Sequence, residues 1–429
     1  MALNHVIVGR LTDSVLGGTR LLAGALLLLS GPAWGAPLSL QGAETIALRQ
    51  NPGLSALNQK ITELRHKAIA VAQLPDPHLG FGAVNLPANN LSLNQQQMST
   101  LGVSLSQTFP AFGKLGLEGR QVGVEALEAA DTLRGQSAAL LLLLRRAWLQ
   151  TLYAKKAVGA VRSQERLQME SVQAALARYR SAQGSQADLL RAQLARDRLA
   201  NDISRLQAEQ TGDLAQIAQI LNLPEPPSIK KQWPSLPPPP STLAEAEARL
   251  SGQPLLRAAR AQTRAAQIGV QVAKRDYWPE VTVSVGYGQD FYPGSPNWLS
   301  AGVDLSLPIF PGDRQDQDVS AARAKALEAQ YRYDDQRLAL TQQLRATFAR
   351  YEAFKAQLER TEQRLLPTAQ DTFSATLAAY SVGHGDMNAV LHAQKEVLDY
   401  ALTRLQYRRD VALSAADLDF LTTEGGAQP

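Results

Sequence analysis

The sequence predicts a mainly α-helical fold with a transmembrane β-barrel, built by tandem duplication, with two long helical hairpins and four β-strands per chain. Three observations support this prediction. The chain matches itself at a nearly constant offset, two long segments contain no proline, and two strand pairs alternate between apolar and polar residues. Helices as long as the proline-free segments do not fit inside a compact globule, so an ordinary globular domain is excluded.

The duplication is visible in two separate parts of the chain. The stretch 102–106 recurs as 302–306, at an offset of 200 residues. A later set recurs at an offset of 201, in which Tyr179, Gly184, Leu190, Ala192 and Gln193 match Tyr380, Gly385, Leu391, Ala393 and Gln394. A nearly constant offset across such distant matches indicates two copies of one unit.

The duplication and the proline-rich stretches define the predicted organisation of the chain. The boundaries are a signal peptide at 1–35, a first repeat at 36–223, a proline-rich linker at 224–241, a second repeat at 242–421 and a flexible tail at 422–429. Within the repeats we predict strand pairs at about 77–109 and 279–308, and helical hairpins at about 115–221 and 314–420.

The first residues have the features of an export signal. Arg10 and Arg20 precede a short apolar run at 21–29, and the small residues Ala33 and Gly35 follow it. This pattern predicts cleavage after Gly35. A retained membrane anchor would need about 20 apolar residues, and no cysteine is available for a lipid anchor. We therefore expect an exported chain without a lipid.

The composition excludes several functional classes. The 429 residues include 43 Lys+Arg and 39 Asp+Glu, for a net charge of +4, and no cysteine. Disulfide scaffolds, thiolate metal sites and cysteine nucleophiles are therefore excluded, and so is a strongly basic nucleic-acid-binding surface. The chain also lacks the phosphate-loop, zinc-protease and nucleophile-elbow motifs. We predict no enzyme and no cofactor, and interpret Asp197, Asp202 and Asp213 as solvated residues on a helix face.

Each repeat has the same predicted order of helices. A first helix is interrupted by a proline dipeptide, and a later proline-free segment forms a helix of roughly 75–100 Å that a glycine-bearing turn connects to a returning helix. The first helices are 41–74 and 242–276, the long outgoing helices 115–180 and 314–366, the turns 181–185 and 381–385, and the returning helices 186–221 and 386–420.

The strand pairs have one apolar face and one small, polar face. In the second pair, Val281, Val283 and Val285 alternate with Thr282, Ser284 and Gly286. This alternation is typical of strands in a membrane β-barrel, but four strands cannot close one, and unpaired edges in lipid are costly. We therefore expect three copies to form a 12-stranded barrel with a polar lumen, continued by a helical tunnel. The aromatic residues expected at its membrane interfaces are Trp278, Phe291, Tyr292 and Trp298.

The duplicated strand pairs, the two hairpins and the repeated Tyr…Gly…Leu-x-Ala-Gln turn resemble the outer-membrane efflux protein family typified by TolC. The resemblance covers essentially the whole chain after the signal. It implies a homotrimeric channel in outer-membrane lipid that works with a periplasmic adaptor (membrane fusion) protein and an inner-membrane pump. The segment 177–193 is similar to members that work with heavy-metal pumps of the resistance-nodulation-division class. It favours heavy-metal cations as the exported substrate.

The same resemblance implies that the hairpin turns form the periplasmic tip, where the pore closes and the adaptor docks. The residues implied there are Tyr179, Gly184, Ser185, Asp188, Tyr380, Gly383, Gly385 and Asp386. Tyr380 and Asp188 correspond to partners in links that hold the closed state, although solvated helix-end side chains are an equal alternative. Ala182 departs from the glycine that is common in the family at this turn.

Three further sets of residues have competing interpretations. The aspartate ring of some members is missing here, since Ala389 and His392 occupy those positions; Asp386 is the nearest substitute, and helix capping explains it more simply. His384, Met387 and His392 are a weak candidate metal site. Ser104 and Asp304 are predicted on the barrel lumen, where a trimer would form a ring of three Asp304 carboxylates that favours cations or is merely solvated.

Two other classes of protein remain as alternatives. A periplasmic adaptor also has a long hairpin, but it combines one hairpin with lipoyl-like and barrel modules. A structural coiled-coil or secreted binding protein would not need the alternating strands. A soluble β-sandwich with added helices would have many more strands than four.

Overall fold

The computed structural model describes residues 37–381 and 383–423. The predicted signal peptide at 1–35 and residues 424–429 of the predicted tail lie outside the described residues. Across the described ranges, no helix is both long and apolar enough to span a membrane. The elements are α1 (Leu40–Gln50), α2 (Pro52–Ala70), β1 (His78–Val84), β2 (Thr100–Phe109), α3 (Lys114–Arg180), α4 (Gln186–Ile220), α5 (Leu243–Leu250), α6 (Pro254–Ala273), β3 (Glu280–Asp290), β4 (Trp298–Ser306), α7 (Gln315–Arg360), α8 (Leu366–Ser381) and α9 (Met387–Thr422).

Two short helices begin each repeat, and a proline separates them as predicted. Asn51 precedes Pro52, and its side-chain oxygen accepts a hydrogen bond from the Leu54 N–H at 3.1 Å. Gln253 precedes Pro254 in the same way and accepts from the Leu255 N–H at 2.7 Å. Proline suits the first position of a helix because its missing N–H would have no intrahelical partner there.

The two long helical hairpins are confirmed. Helix α3 has 67 residues, which corresponds to roughly 100 Å, and α4 returns along it. In the second repeat, α7 and α8 form the outgoing arm and α9 returns along both. Because the arms are antiparallel, each hairpin has its turn at the end of the molecule away from the strands.

The outgoing arm of the second hairpin is longer than the predicted helix 314–366. A five-residue π-helical segment, Thr361–Leu365, joins α7 to α8, and α8 continues past Pro367 to Ser381. Proline has no N–H and its ring clashes with the preceding turn of an α-helix, and the π turn before Pro367 widens the helix where that clash would occur. Proline therefore modifies this helix without ending it.

The four strands form one antiparallel sheet in the order β1-β2-β3-β4. In the register, apolar residues lie opposite apolar residues and small or polar residues lie opposite one another. Val283 lies opposite Val303, and Ser284 lies opposite Gly302. Between the repeats, Val103 of β2 lies opposite Tyr287 of β3. One face of the sheet is therefore apolar across all four strands, as predicted. Strands β1 and β4 each have a single neighbour, so both outer edges of the sheet are unpaired within the described part of the chain.

The helices next to the sheet repeat the order of the strands. Helix α2 packs against α3, α3 packs against α6, and α6 packs against α7. Each of these helices is next to one strand along the chain, since α2 precedes β1, α3 follows β2, α6 precedes β3 and α7 follows β4. The helical layer α2-α3-α6-α7 therefore extends the sheet β1-β2-β3-β4. At one lateral edge of the two layers lie α2 and β1, and at the other lie α7 and β4.

The largest core cluster lies midway along the hairpins. Trp148, Leu144 and Leu152 of α3 are buried there against α1, α4 and the start of the linker. Beside it, the Arg145 guanidinium bonds Glu44 at 2.6 Å and Asp419 at 2.5 Å, which ties α1, α3 and α9 together. The proline-rich linker has no regular helix, and it packs on this cluster through buried Ile229.

Candidate functional site: the hairpin tips and the sheet

The first hairpin turns through a Schellman motif. We define the first tip as residues 178–194. The Gln183 N–H donates to the Arg178 carbonyl at 2.9 Å, and the Ala182 N–H donates to the Tyr179 carbonyl at 3.1 Å. This pattern requires a left-handed residue after the helix, and Ala182 has φ = 59°. Ala182 therefore adopts the conformation for which glycine is usually needed.

The second hairpin turns in the same way. The second tip, residues 379–381 and 383–395, matches the first tip at the offset of 201. The His384 N–H donates to the Ala379 carbonyl at 3.0 Å, and Gly383 occupies the left-handed position with φ = 85°. The alanine in the first tip thus leaves the turn geometry unchanged, at the cost of a less favourable backbone conformation.

Gly184 and Gly385 are needed for a different reason, because each lies against the end of the outgoing arm. A Cβ atom at Gly385 would lie 2.8 Å from the Tyr380 nitrogen, and one at Gly184 would lie 3.0 Å from the Arg178 Cβ. The contact at Gly385 would require the backbone to move, and the contact at Gly184 would require a small shift of its neighbour. Both glycines therefore permit the close approach that the sequence predicted at the turns.

The residues that begin the returning helices differ between the tips. Ser185 caps α4, since its hydroxyl accepts from the Asp188 N–H at 3.1 Å. Asp386 occupies the same position before α9, but its carboxylate accepts instead from the Asn388 side-chain amide at 3.0 Å. Asp386 therefore has the position of a capping residue without its usual backbone hydrogen bond, and its negative charge still lies at the positive end of the helix dipole.

Tyr380 and Asp188 belong to different tips and have different surroundings. Tyr380 is buried, with 5% of its surface exposed, whereas the Asp188 carboxylate pairs with Arg191 at 3.4 Å. Within the described part of one chain, no hydrogen bond joins these two side chains. A link between them of the kind implied by the resemblance would have to form between copies, and it remains a prediction.

Arg178 is the residue at the tip that sequence reasoning missed. Its guanidinium stacks over the Tyr380 ring at 4.6 Å and donates to the Tyr380 carbonyl at 3.1 Å and the Gln183 carbonyl at 3.2 Å. Arg178 of the first hairpin thus hydrogen-bonds both the C-terminal end of α8 in the second hairpin and the turn of the first hairpin. A signal was present in the sequence: Arg178 is next to the duplicated tyrosine, and the second copy has Ala379 at the same position.

Further contacts join the two hairpins below the tips. Ala175 and Ala192 of the first hairpin pack with Tyr380, Met387 and Val390 of the second. Deeper in the hairpins, the Gln164 side-chain amide donates to the Gln394 carbonyl at 3.1 Å, in a region where both side chains are buried. A contiguous apolar cluster with polar contacts on either side therefore holds the two hairpins of one chain together.

Two residues of the weak candidate metal site lie in different environments. Met387 is 1% exposed and packs in the apolar cluster between the hairpins, while His392 is exposed near Glu396. Across residues 37–381 and 383–423, no three His, Asp or Glu side chains are grouped closely enough to hold a metal ion. The methionine at this position serves the packing of the tip.

The sheet exposes apolar side chains on one face. Val303 is 64% exposed, and Phe81 and Leu299 on the same face are also exposed. Ser104 and Asp304 lie on the opposite face, both exposed, among glycine, serine and threonine. A sheet with a large exposed apolar face and a small, polar opposite face suits lipid on one side and water on the other.

Aromatic residues border the sheet at both ends. Trp278 and Phe310 are exposed at the end that continues into the helices. Phe291 and Trp298 are exposed at the far end, where the loops of the two strand pairs meet. The Asp290 carboxylate accepts from the Met98 N–H at 3.0 Å and so connects the two loops. Three of the four predicted aromatic residues are thus exposed at the ends of the sheet, while the fourth, Tyr292, is partly buried; their place at a membrane interface remains a prediction.

Asp213 differs from the solvated residue that was expected. One of its carboxylate oxygens is buried without a hydrogen-bond partner, and the residue is only partly exposed. Burial raises the pKa of the Asp213 carboxyl group, and the nearby Glu209 carboxylate raises it further. The charged form of Asp213 is therefore unfavourable where it lies on α4.

The half-exposed sheet that continues into two helical hairpins is also found in solved outer-membrane channels. The sequence profile described as Outer membrane efflux protein matches residues 246–424. The structure is similar to that of the outer-membrane channel OprN, with a TM-score of 0.76 at 20% identity over 90% of each chain. The second repeat thus matches the profile of the outer membrane efflux protein family, and the chain as a whole shares the fold of an outer-membrane channel.

Two curated relatives match parts of the chain. The cobalt-zinc-cadmium resistance protein CzcC of Cupriavidus metallidurans is 30% identical over 158 residues, which cover 37% of this chain and 36% of CzcC. Protein CyaE of Bordetella pertussis is 27% identical over 288 residues, which cover 63% of this chain and 60% of CyaE. The chain thus spans between about a third and three-fifths of the relatives that it matches.

Proposed function

We propose that the chain is the outer-membrane channel of a tripartite efflux system, and that three copies form a passive conduit. The observation that carries this proposal is the four-stranded sheet with two unpaired edges and an exposed apolar face. In lipid, each unpaired backbone group costs several kcal/mol, so the edges must pair with other copies.

Closure between copies is consistent with the strand directions. Because all three pairings in the sheet are antiparallel, β1 and β4 run in opposite directions. Strand β4 of one copy can therefore pair antiparallel with β1 of the next. Three copies would supply twelve strands, a number within the known range for closed barrels. Two copies would supply eight strands, which leave little space inside.

The same association would extend the barrel into a helical tunnel. Helices α2 and α7 lie at the sides of the molecule in the same order as β1 and β4. Copies joined at the strand edges would therefore also meet along these helices. We propose that the tunnel crosses the periplasm and that the tips, at its far end, form the gate and the docking surface for a periplasmic adaptor.

We propose divalent heavy-metal cations as the exported class, through an inner-membrane pump of the resistance-nodulation-division class. The support is the similarity to CzcC, together with Asp304 on the polar face of the sheet. A trimer would place three such carboxylates around the lumen, which favours cations over anions. A periplasmic adaptor is less well supported, because an adaptor has no use for an exposed apolar sheet.

Assembly is tested by membrane fractionation. We expect the full chain in the outer-membrane fraction as trimers that survive an unheated denaturing gel and dissociate on boiling. Soluble periplasmic monomers would contradict the proposal. The substrate is tested by deleting the gene and measuring growth with cobalt, zinc or cadmium, and with a hydrophobic drug. Sensitivity to the drug alone would support a channel and contradict the metal preference.

A further inference from the structure

The proline-rich linker and the helices beneath it bring several cations to one region of the molecule. The Lys155 ammonium of α3 donates to the Ile229 carbonyl of the linker at 3.3 Å. The Arg408 guanidinium of α9 lies 5.7 Å from the centre of the Trp233 ring, which also belongs to the linker. Two exposed linker lysines lie between these contacts. We call this group the basic surface, and its members are Lys155, Lys230, Lys231 and Arg408.

The cations of the basic surface have no anionic partners of their own. Across the described ranges, no ion pair joins any of the four to a carboxylate, and the nearby Asp410 carboxylate pairs with Arg409 at 2.8 Å. Burial lowers the pKa of the Lys155 ammonium, and the positive charge of Lys231 lowers it further. Like charges are thus held close together without compensation, so an anion from outside the chain would be attracted to this surface.

A groove with polar and aromatic walls adjoins the basic surface. Its volume is about 610 Å³, and Lys230 and Trp233 belong to its lining. The other polar groups that line it include the side chains of Ser39, Gln232 and Ser235. An aromatic ring packs against the apolar face of a sugar, and hydroxyl and amide groups bond the sugar hydroxyls. The groove therefore suits a carbohydrate, and the cations beside it suit carboxylates.

The distance from the sheet excludes lipid headgroups as the source of the negative charge. Lys155 lies about 40 residues into α3, which corresponds to about 60 Å along the helix from the end of the sheet. The hydrocarbon core of a bilayer is only about 30 Å thick, and its headgroup layers add a few ångströms on each side. Under the proposed function, the basic surface lies in the periplasm, where a tunnel must pass through the cell wall.

We propose that the basic surface and its groove bind peptidoglycan, the glycan of the cell wall, whose peptides carry free carboxylates. Lys230, Lys231 and Arg408 would pair with these carboxylates, and the groove beside Trp233 would hold the sugars. This inference rests on the proposed function for its position in the periplasm. An acidic protein such as an adaptor would match the cations, but it would have no use for a groove suited to sugars.

The second repeat provides a matched surface at the same distance from the sheet. Lys355 is the counterpart of Lys155 at the offset of 200 residues, and it is exposed on α7. Glu352 and Glu359 lie within about one helical turn of it along α7, so the local charge is balanced. Substitutions on α7 can therefore change the net charge equally without altering the basic surface.

Co-sedimentation with isolated peptidoglycan sacculi tests the proposal on the purified full chain in detergent. We expect the natural chain to sediment with sacculi, and less of it to do so as the salt concentration rises. Lys230→Glu combined with Lys231→Glu should weaken this binding by about tenfold or more, because two attractions become repulsions. The matched control is Lys355→Glu combined with Arg360→Glu, which should bind as the natural chain does. Absence of binding by the natural chain, or an equal loss in both double variants, would overturn the proposal.

Modified polymers test which chemistry is recognised. Sacculi whose carboxylates have been converted to amides should lose most of their binding, and so should chitin, a neutral polymer of a similar sugar. Equal binding to native and amidated sacculi would contradict the role of the cations. Purified adaptor is the competing partner. If Lys230→Glu with Lys231→Glu abolished adaptor binding and left sacculus binding unchanged, the surface would belong to the adaptor and the proposal would be wrong.

The outcomes distinguish this inference from the proposed function. Monomers in native membranes would overturn the trimeric channel, and co-sedimentation could still be measured on them. Stable trimers that export normally but do not bind sacculi would overturn only the peptidoglycan contact. Both double variants should form trimers with unchanged heat stability, because the substituted side chains are exposed.

Discussion

The sheet and the tips lie at opposite ends of the molecule and are stabilised in opposite ways. In the sheet, large apolar side chains such as Val303 and Leu299 are exposed, and the outer strands lack partners. At the tips, Tyr380 and Met387 are buried within one chain, although the first tip remains exposed. Under the proposed function, the sheet depends on lipid and on other copies, whereas the tips are partly complete in a single chain.

This comparison predicts that substitutions at the two ends have separate effects. Changes in the sheet should impair assembly, because nothing within the chain compensates for an unsuitable side chain there. Changes at the tips should impair gating or docking while assembly persists.

The largest effect is expected for Val303→Arg on the apolar face of β4. A cation in the middle of the lipid face costs about 2–4 kcal/mol per copy, and a trimer would contain three. We expect almost no heat-labile trimers in the outer-membrane fraction. The matched control is Asp304→Arg, since the adjacent side chain lies on the polar face. Equal assembly of both variants would mean that the two faces do not separate lipid from water, and a larger defect for Asp304→Arg would mean that they are assigned the wrong way round.

The second-largest effect is expected for Gly385→Val and Gly383→Pro, in the turn of the second hairpin. Gly385→Val would place atoms against the Tyr380 backbone, where even a Cβ lies at 2.8 Å, and Gly383→Pro cannot adopt φ = 85°. Such strain costs on the order of 1–3 kcal/mol and displaces the tip. We expect normal trimers but loss of export, and loss of crosslinks from Ser185 and Asp386 to a candidate adaptor.

The chain itself suggests the control for these glycine variants. Gly383→Ala should be tolerated, because Ala182 already holds the matching left-handed position in the first tip with φ = 59°. Export that is normal in Gly383→Pro would remove the second turn from the mechanism. Export that is lost in Gly383→Ala would show that the second tip has stricter requirements than the first.

The features that the sequence predicted well depend on periodic patterns. The alternation of Val281, Val283 and Val285 with small polar residues defined the faces of the sheet, and the register confirms them. The proline dipeptides marked the helix breaks near Asn51 and Gln253 because proline is compatible with only a few helix positions. Periodicity and proline chemistry are local properties, so they can be recognised in a single sequence.

The features that the sequence did not predict depend on contacts between distant residues. Arg178 and Tyr380 are about two hundred residues apart along the chain, and only the packing of α3 against the second hairpin brings them together. The burial of Met387 and the buried oxygen of Asp213 have the same origin. Pro367 illustrates the converse, since a local rule predicted a helix end where a π turn accommodates the ring.

A smaller effect is expected for Arg178→Ala. The substitution removes the stacking on Tyr380 and two hydrogen bonds to carbonyl groups, which together contribute about 1–3 kcal/mol. We expect intact trimers with a higher resting conductance in planar lipid bilayers. Arg178→Lys should give an intermediate conductance, because lysine keeps the charge but lacks the planar group that reaches both carbonyls. Unchanged conductance in Arg178→Ala would show that the apolar cluster alone holds the two hairpins of one chain together.

The smallest effect is expected for Asp213→Asn on α4, away from both ends. Burial and the neighbouring Glu209 raise the pKa of the Asp213 carboxyl group in the folded protein, so ionisation opposes folding. This penalty is absent below the unfolded-state pKa of about 3.9, where both states are protonated, and it grows as the pH rises through the folded-state pKa. Asp213→Asn should therefore raise the temperature at which trimers dissociate near neutral pH, with no gain below about pH 4. Asp202→Asn is the matched control, because the exposed Asp202 carboxylate pairs with Arg205 and should give no gain at either pH. A gain for Asp213→Asn that is the same at both pH values would show that amide hydrogen bonding, rather than removal of the charge, stabilises the variant.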